Sequence, residues 1–226
     1  PTLTSFTYDA SSGSIAAVGT GFANQPGDNN DVDVSLFTIT GESGITYTLT
    51  AANDVDVSST TELSFTVSGN DKLNADGLFN KDGALSDNGT PYNIAVADNW
   101  LTASATETDI SDTTTSVNVS NVSAPSITSA TYNGITGLLY ITGSQFRSLP
   151  GEDNDLVVTA ISLSGHGEST YTLTSNNVDI IDATSASITL NTEDKKLLQP
   201  ILNNDGLSAQ DGTIYNIAFS DNWMAS

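Results

Sequence analysis

The sequence repeats itself once, in order and nearly in one register. Aligning Pro1 with Pro125 brings PTLTSFTYDASSGSI onto PSITSATYNGITGLL. In the same register QPGDNNDVDV (25–34) lies over LPGEDNDLVV (149–158), and TYTLT (46–50) lies over TYTLT (170–174). After a one-residue deletion, NDKLNADGLFNKDG (70–83) meets EDKKLLQPILNNDG (193–206), and PYNIAVADNW (91–100) meets IYNIAFSDNW (214–223). A period of about 124 residues is the size of a domain, not of a solenoid repeat. The 226 residues therefore predict two homologous domains, 1–123 and 124–226, in place of one large one.

Within each copy, short runs rich in Thr, Val, Ile and Tyr alternate in polarity between turns of Gly, Asn, Asp and Pro. This pattern predicts strands at 3–8, 14–19, 32–40, 45–50, 62–67, 92–96 and 116–122 of the first copy. Seven short strands imply a sandwich, so the fold class is all-β: two tandem immunoglobulin-like β-sandwich domains. One segment departs from alternation. Ser68 followed by Asp71, and Asn191 followed by Asp194, have the spacing of an N-cap and a third-position acid, with Gly83 and Gly206 as terminators. A short helix inserted between strands is expected there, weakened by Gly77 in one copy and Pro200 in the other.

The second copy ends three residues beyond Trp223, whereas the first continues past Trp100 into the strand expected at 116–122. If that strand closes the first domain, the second is expected to lack its last strand; if it opens the second, the first is expected to lack the equivalent strand before Pro1. An unpaired sheet edge exposes backbone N–H and C=O groups, which makes neighbouring copies of the same repeat the expected partners.

Charge narrows the classes of partner. With 27 Asp plus Glu against 5 Lys plus Arg, the formal net charge is −22. Such a surface repels nucleic acid and anionic membranes, and its self-repulsion favours a medium rich in salt or divalent ions. No apolar run approaches the roughly 20 residues of a membrane-spanning helix, so membrane insertion is not expected. The sequence contains no Cys, which excludes disulfides and thiolate metal ligation.

Several of these segments together carry a family resemblance. The run SNVSAPSITSATYNGITGLLYITG (120–143), then TYTLT (170–174), Asp194-Lys195, NNDG (203–206) and the YNIA and SDNW segments (215–223) resemble a tandem repeat of giant secreted bacterial surface proteins, of the swimming-motility and biofilm-adhesin kinds. The resemblance spans essentially the whole chain. It implies an extracellular, calcium-rich setting at the cell surface, and it carries no catalytic residues.

The best candidate site is the acidic loop after Pro-Gly. It comprises Asp28, Asn30, Asp31 and Asp33 in the first copy, and Asp153, Asn154 and Asp155 in the second. Carboxylate and amide oxygens on a turn suit Ca²⁺, which takes roughly six to eight hard oxygen ligands. The twelve-residue EF-hand pattern is absent, and such turns also serve as backbone caps. Further acidic pairs are Asp82 with Asp87, Asp205 with Asp211, and Asp109 with Asp112. Catalysis has little footing: His166 is the only histidine, and Glu42 occupies its place in the first copy.

These features favour a non-enzymatic structural and adhesive extender of a large extracellular surface protein, with Ca²⁺ as a stabilising ion. The alternative is a carbohydrate- or ligand-binding accessory module, with surface glycans as partners.

Overall fold

A computed structural model describes residues 1–104 and 108–225. Strand dominates, so the all-β expectation holds. The chain divides between Ala124 and Pro125 into two compact units.

Unit 1 contains β1 (Thr2–Asp9), β2 (Ser14–Thr20), β3 (Phe37–Thr40), β4 (Thr46–Thr48), β5 (Glu62–Thr66), α1 (Gly69–Leu78), β6 (Asn93–Val96) and β7 (Asp112–Ser120). They form one curled sheet in the order β4-β3-β6-β7-β1-β2-β5. β7 is the strand that joins its two halves: it runs parallel to β1, with Phe6 opposite Val117 and Tyr8 opposite Val119, and antiparallel to β6.

The alternation of the sequence becomes an inward face. Phe6, Tyr8, Ile15, Phe37, Ile39, Ile94, Val117 and Val119 are all buried. Phe37 stands at the centre. Its ring meets Phe6, Phe65 and Trp100 edge-on, at centroid distances of 6.1, 5.6 and 5.9 Å. The Trp100 indole N–H donates to the Ile110 carbonyl at 2.9 Å, which fixes the aromatic in the core.

Unit 2 contains β8 (Ser126–Asn133), β9 (Leu138–Ser144), β10 (Ile161–Ser164), β11 (Thr170–Thr172), β12 (Ser185–Thr189), α2 (Thr192–Leu198) and β13 (Asn216–Phe219). These pair as two separate sheets, β11-β10-β13 and β12-β9-β8. Every strand has its counterpart in unit 1, but among the described residues none lies between β8 and β13. The faces there are more open: Tyr132, Tyr215, Ile217 and Trp223 are half-buried, whereas their counterparts Tyr8, Tyr92, Ile94 and Trp100 are buried.

Three local expectations change in detail. The strand expected over 32–40 is shorter: a 3-10 turn at Val34–Leu36 interrupts the extended run, and only Phe37–Thr40 pairs. The cause shared by both units is a side-chain anchor. Asp54 Oδ1 accepts from the Val34 N–H at 2.8 Å, and Asn177 Oδ1 from the Val158 N–H at 3.1 Å. Asn191 caps its helix, accepting from the Asp194 N–H at 2.8 Å, whereas Ser68 makes no capping bond. Neither Gly83 nor Gly206 ends a helix. α1 stops at Leu78 and α2 at Leu198; Gln199 still has helical backbone angles, and Pro200 after it has no N–H with which to continue the ladder.

The packing around Phe37 leads to a first prediction. Phe37→Ala removes the ring shared by three aromatic neighbours and leaves a cavity, which lowers the stability of unit 1 by about 4 kcal/mol. Urea unfolding followed by Trp100 fluorescence in a Trp223→Phe background measures this loss. A change under about 1 kcal/mol would contradict the packing described here.

Candidate functional site

The acidic loops are built from a Pro-Gly turn in both units. Gly27 and Gly151 have φ of 138° and 146°, a region that disfavours side chains. A Cβ at either glycine would lie 2.4 Å from the side-chain nitrogen of Asn30 or Asn154, which folds over the turn. These Asn side chains donate back to the carbonyls of Pro26 (3.2 Å) and Pro150 (3.5 Å). Their backbone N–H groups donate to Asp56 (3.1 Å) and Asp179 (3.0 Å).

Asp31 and Asp155 follow, and both are almost fully buried, at 0% and 1% exposure. One carboxylate oxygen of Asp31 accepts from the Gln25 N–H, and the other accepts from the Val57 N–H at 2.7 Å. Asp155 repeats the arrangement, accepting from the N–H groups of Leu149 (2.5 Å) and Ile180 (2.7 Å). Each carboxylate thus ties the start of its loop to a distant segment of chain. Burial pushes the Asp155 carboxyl above its ordinary value, and the Ile180 and Leu149 N–H groups only partly offset it.

The other residues of the expected calcium set stand apart from this arrangement. Asp33 accepts from the Ser35 N–H (3.0 Å) and hydroxyl (2.5 Å), and its position is Val157 in unit 2. Asp28 and Asp153 are exposed. They do not correspond in the repeat: Asp28 aligns with Glu152, and Asp153 with Asn29. Asp153 and Asn29 share the same left-handed backbone, φ 51° and 52°. Among the described residues no group of three or more His, Asp or Glu side chains stands close enough to hold a metal ion.

Of the further acidic pairs, Asp82 accepts from the Val122 N–H at 2.9 Å, and Asp109 and Asp112 each cap the residue two positions on. Asp211 accepts from the N–H groups of Thr213 and Gly167 and lies 3.3 Å from His166 Nδ1. Those two backbone donors are the main reason its carboxyl is lowered to about 2.

A second pair of buried carboxylates was read from the sequence only as helix-capping acids. Asp71 of α1 and Asp194 of α2 are 2% and 0% exposed, and they reach past the helix to the end of the TYTLT segment. Asp71 accepts from the Tyr47 hydroxyl (2.9 Å), the Thr50 N–H (3.1 Å) and hydroxyl (3.0 Å), and the Asn53 side-chain amide. Asp194 accepts from the Tyr171 hydroxyl (2.9 Å), the N–H and hydroxyl of Thr174, and the N–H (2.9 Å) and hydroxyl (2.5 Å) of Ser175.

Burial pushes the Asp194 carboxyl up, but the hydroxyls of Ser175, Thr174 and Tyr171 outweigh it and hold the group below its ordinary value. Tyr47 is pushed up to about 12, first by burial and then by Asp71. The signal in the sequence was the Asp-Lys dipeptide shared by two helices that otherwise differ, NDKLNADG and EDKKLLQP. These carboxylates are saturated with donors and face no cavity described in the structure, which fits them for holding the chain together.

No protein-family model matches the chain, and no curated protein matches its sequence.

Asp194→Ala strands several buried donors and is expected to lower the stability of unit 2 by about 3 kcal/mol, with Asp71→Ala doing the same to unit 1. A carboxyl with a lowered folded-state pKa contributes stability that is complete above its unfolded pKa and lost as pH falls through the folded value. Below about pH 4, Asp194→Asn should therefore lose stability less steeply than the parent protein. Asp155 has the opposite sign: its raised carboxyl favours the folded state at low pH and opposes it once ionised. Urea midpoints for unit 2 between pH 2 and 6, read from Trp223, check both. Parallel pH profiles for the parent protein and Asp194→Asn would contradict the assignment.

Proposed function

We propose that this chain is a pair of extender modules from a larger extracellular surface protein, non-enzymatic and adhesive or structural in role, each with an immunoglobulin-like sandwich fold. The observation that carries this reading is what the repeat retains. The residues common to both copies are those that hold the fold: the Asn-Asp turn, the buried helix aspartate and the tryptophan of the SDNW and ADNW segments. The exposed residues of the loops differ between copies, as with Asp28 and Glu152, or Gly44 and Glu168. Modules that serve as length and spacing need the first set and not the second.

The sheet order of unit 1 supports the immunoglobulin-like assignment. β2 and β5 pair on one side, β3, β6 and β7 on the other, and the first strand runs parallel to the last. A charge of −22 supports a setting in which cations screen the surface. Calcium in this reading acts at open carboxylates such as Asp28 and Asp153, because both oxygens of Asp31 and Asp155 already accept backbone N–H groups.

Millimolar Ca²⁺ is expected to raise the unfolding midpoint relative to EDTA, with Na⁺ at matched ionic strength as control. An unchanged midpoint removes calcium from the account. On a glycan array the pair is expected to bind nothing. Saturable binding of one glycan class would replace the extender reading with that of a carbohydrate-binding module.

A further inference from the structure

Unit 2 contains a groove of about 830 Å³ between its two sheets, and its walls include Ala130, Thr131, Tyr132, Gly206, Asn216 and Ile217. The repeat alignment gives each of these a counterpart in unit 1: Phe6, Thr7, Tyr8, Gly83, Asn93 and Ile94. All six counterparts pair with β7. Phe6, Thr7 and Tyr8 oppose Val117, Asn118 and Val119 in parallel, and Asn93 and Ile94 oppose Ser116 and Thr115 in antiparallel. Gly83 exchanges backbone bonds of 2.9 and 2.8 Å with Val119. The groove of unit 2 therefore occupies the place that β7 fills in unit 1.

We propose that this groove is a strand-acceptor site, and that its occupant is an extended polypeptide segment with the side-chain pattern of β7. The chemistry of β7 defines the ligand. Thr115, Val117 and Val119 alternate as its buried residues, with the polar Ser116 and Asn118 between them. The occupant runs parallel to β8 and antiparallel to β13, supplying N–H and C=O groups to both strands and apolar side chains to Tyr132 and Ile217. Charge favours the same kind of segment. β7 has one charged residue, Asp112, at its first position, so it brings little repulsion to a chain of net charge −22.

The test adds a synthetic Asp112–Ser120 peptide to the full chain. The site predicts saturable binding, a rise in the unfolding midpoint of unit 2 followed by Trp223, and new amide protection confined to β8, β13, Gly134 and Gly206, the last two being the counterparts of Ala10 and Gly83, which donate to Ser120 and Val119. A peptide carrying Val117→Asp and Val119→Asp should bind at least tenfold more weakly. No saturable binding at millimolar peptide, equal binding of the two peptides, or protection elsewhere in the chain would overturn the proposal. Self-association that protects β8 and β13 and that the peptide does not reverse would also overturn it, assigning the groove to a second copy of the chain.

Discussion

The fold rests on buried carboxylates that accept hydrogen bonds from main-chain N–H groups. A carboxylate taken out of water without partners is strongly destabilising, and so is a loop N–H buried without an acceptor. Each problem answers the other, at Asp194 with a surplus of donors and at Asp155 only in part. Asp31 and Asp155 join the entry of their loops to Val57 and Ile180, while Asp71 and Asp194 join a helix to the end of the TYTLT strand. Among the described residues five carboxylates are enclosed; these four recur in both copies, whereas the fifth, Glu42, has His166 in its place in unit 2. The loops they fix set where the following strands start, and those strands place the aromatic residues of the core.

The second constraint is the need of a curled sheet for continuity. In unit 1 one strand, β7, completes the ladder from β6 to β1 and adds the buried side chains of Val117 and Val119 to the inward face. With that strand present, Tyr8, Ile94 and Trp100 are buried; in unit 2 their counterparts remain half-buried. The two copies thus show the same scaffold with and without a strand between the corresponding pair of neighbours. The comparison separates what the carboxylates hold, which is alike in both, from what the strand covers.

Much of this was legible in the sequence because it is written locally. Alternation located all seven strands of the first copy, and the repeat transferred the first six to the second. The helix was legible from its caps, although the bond at Asn191 forms and one at Ser68 does not. The extended run at 32–40 was overestimated because its interruption depends on Asp54, some 20 positions away. The acidic loop was legible as a site of clustered oxygens, but the use of those oxygens was not. Composition does not say that Asp31 is enclosed and Asp28 exposed, since that follows from the return of the chain at Val57. The helix aspartates have the same character: their partners lie about 20 residues upstream, and only their recurrence in both copies pointed to them.

The role of the carboxylates as main-chain acceptors is tested most directly by hydrogen exchange at the four amides that donate to Asp31 and Asp155. These belong to Gln25, Val57, Leu149 and Ile180, each of which donates to a carboxylate at the edge of an irregular segment. The account predicts that, at neutral pH and in the presence of EDTA, all four exchange as slowly as the amides of the paired strands. Exchange as fast as at the exposed Asp28 and Asp153 of the same loops would contradict it.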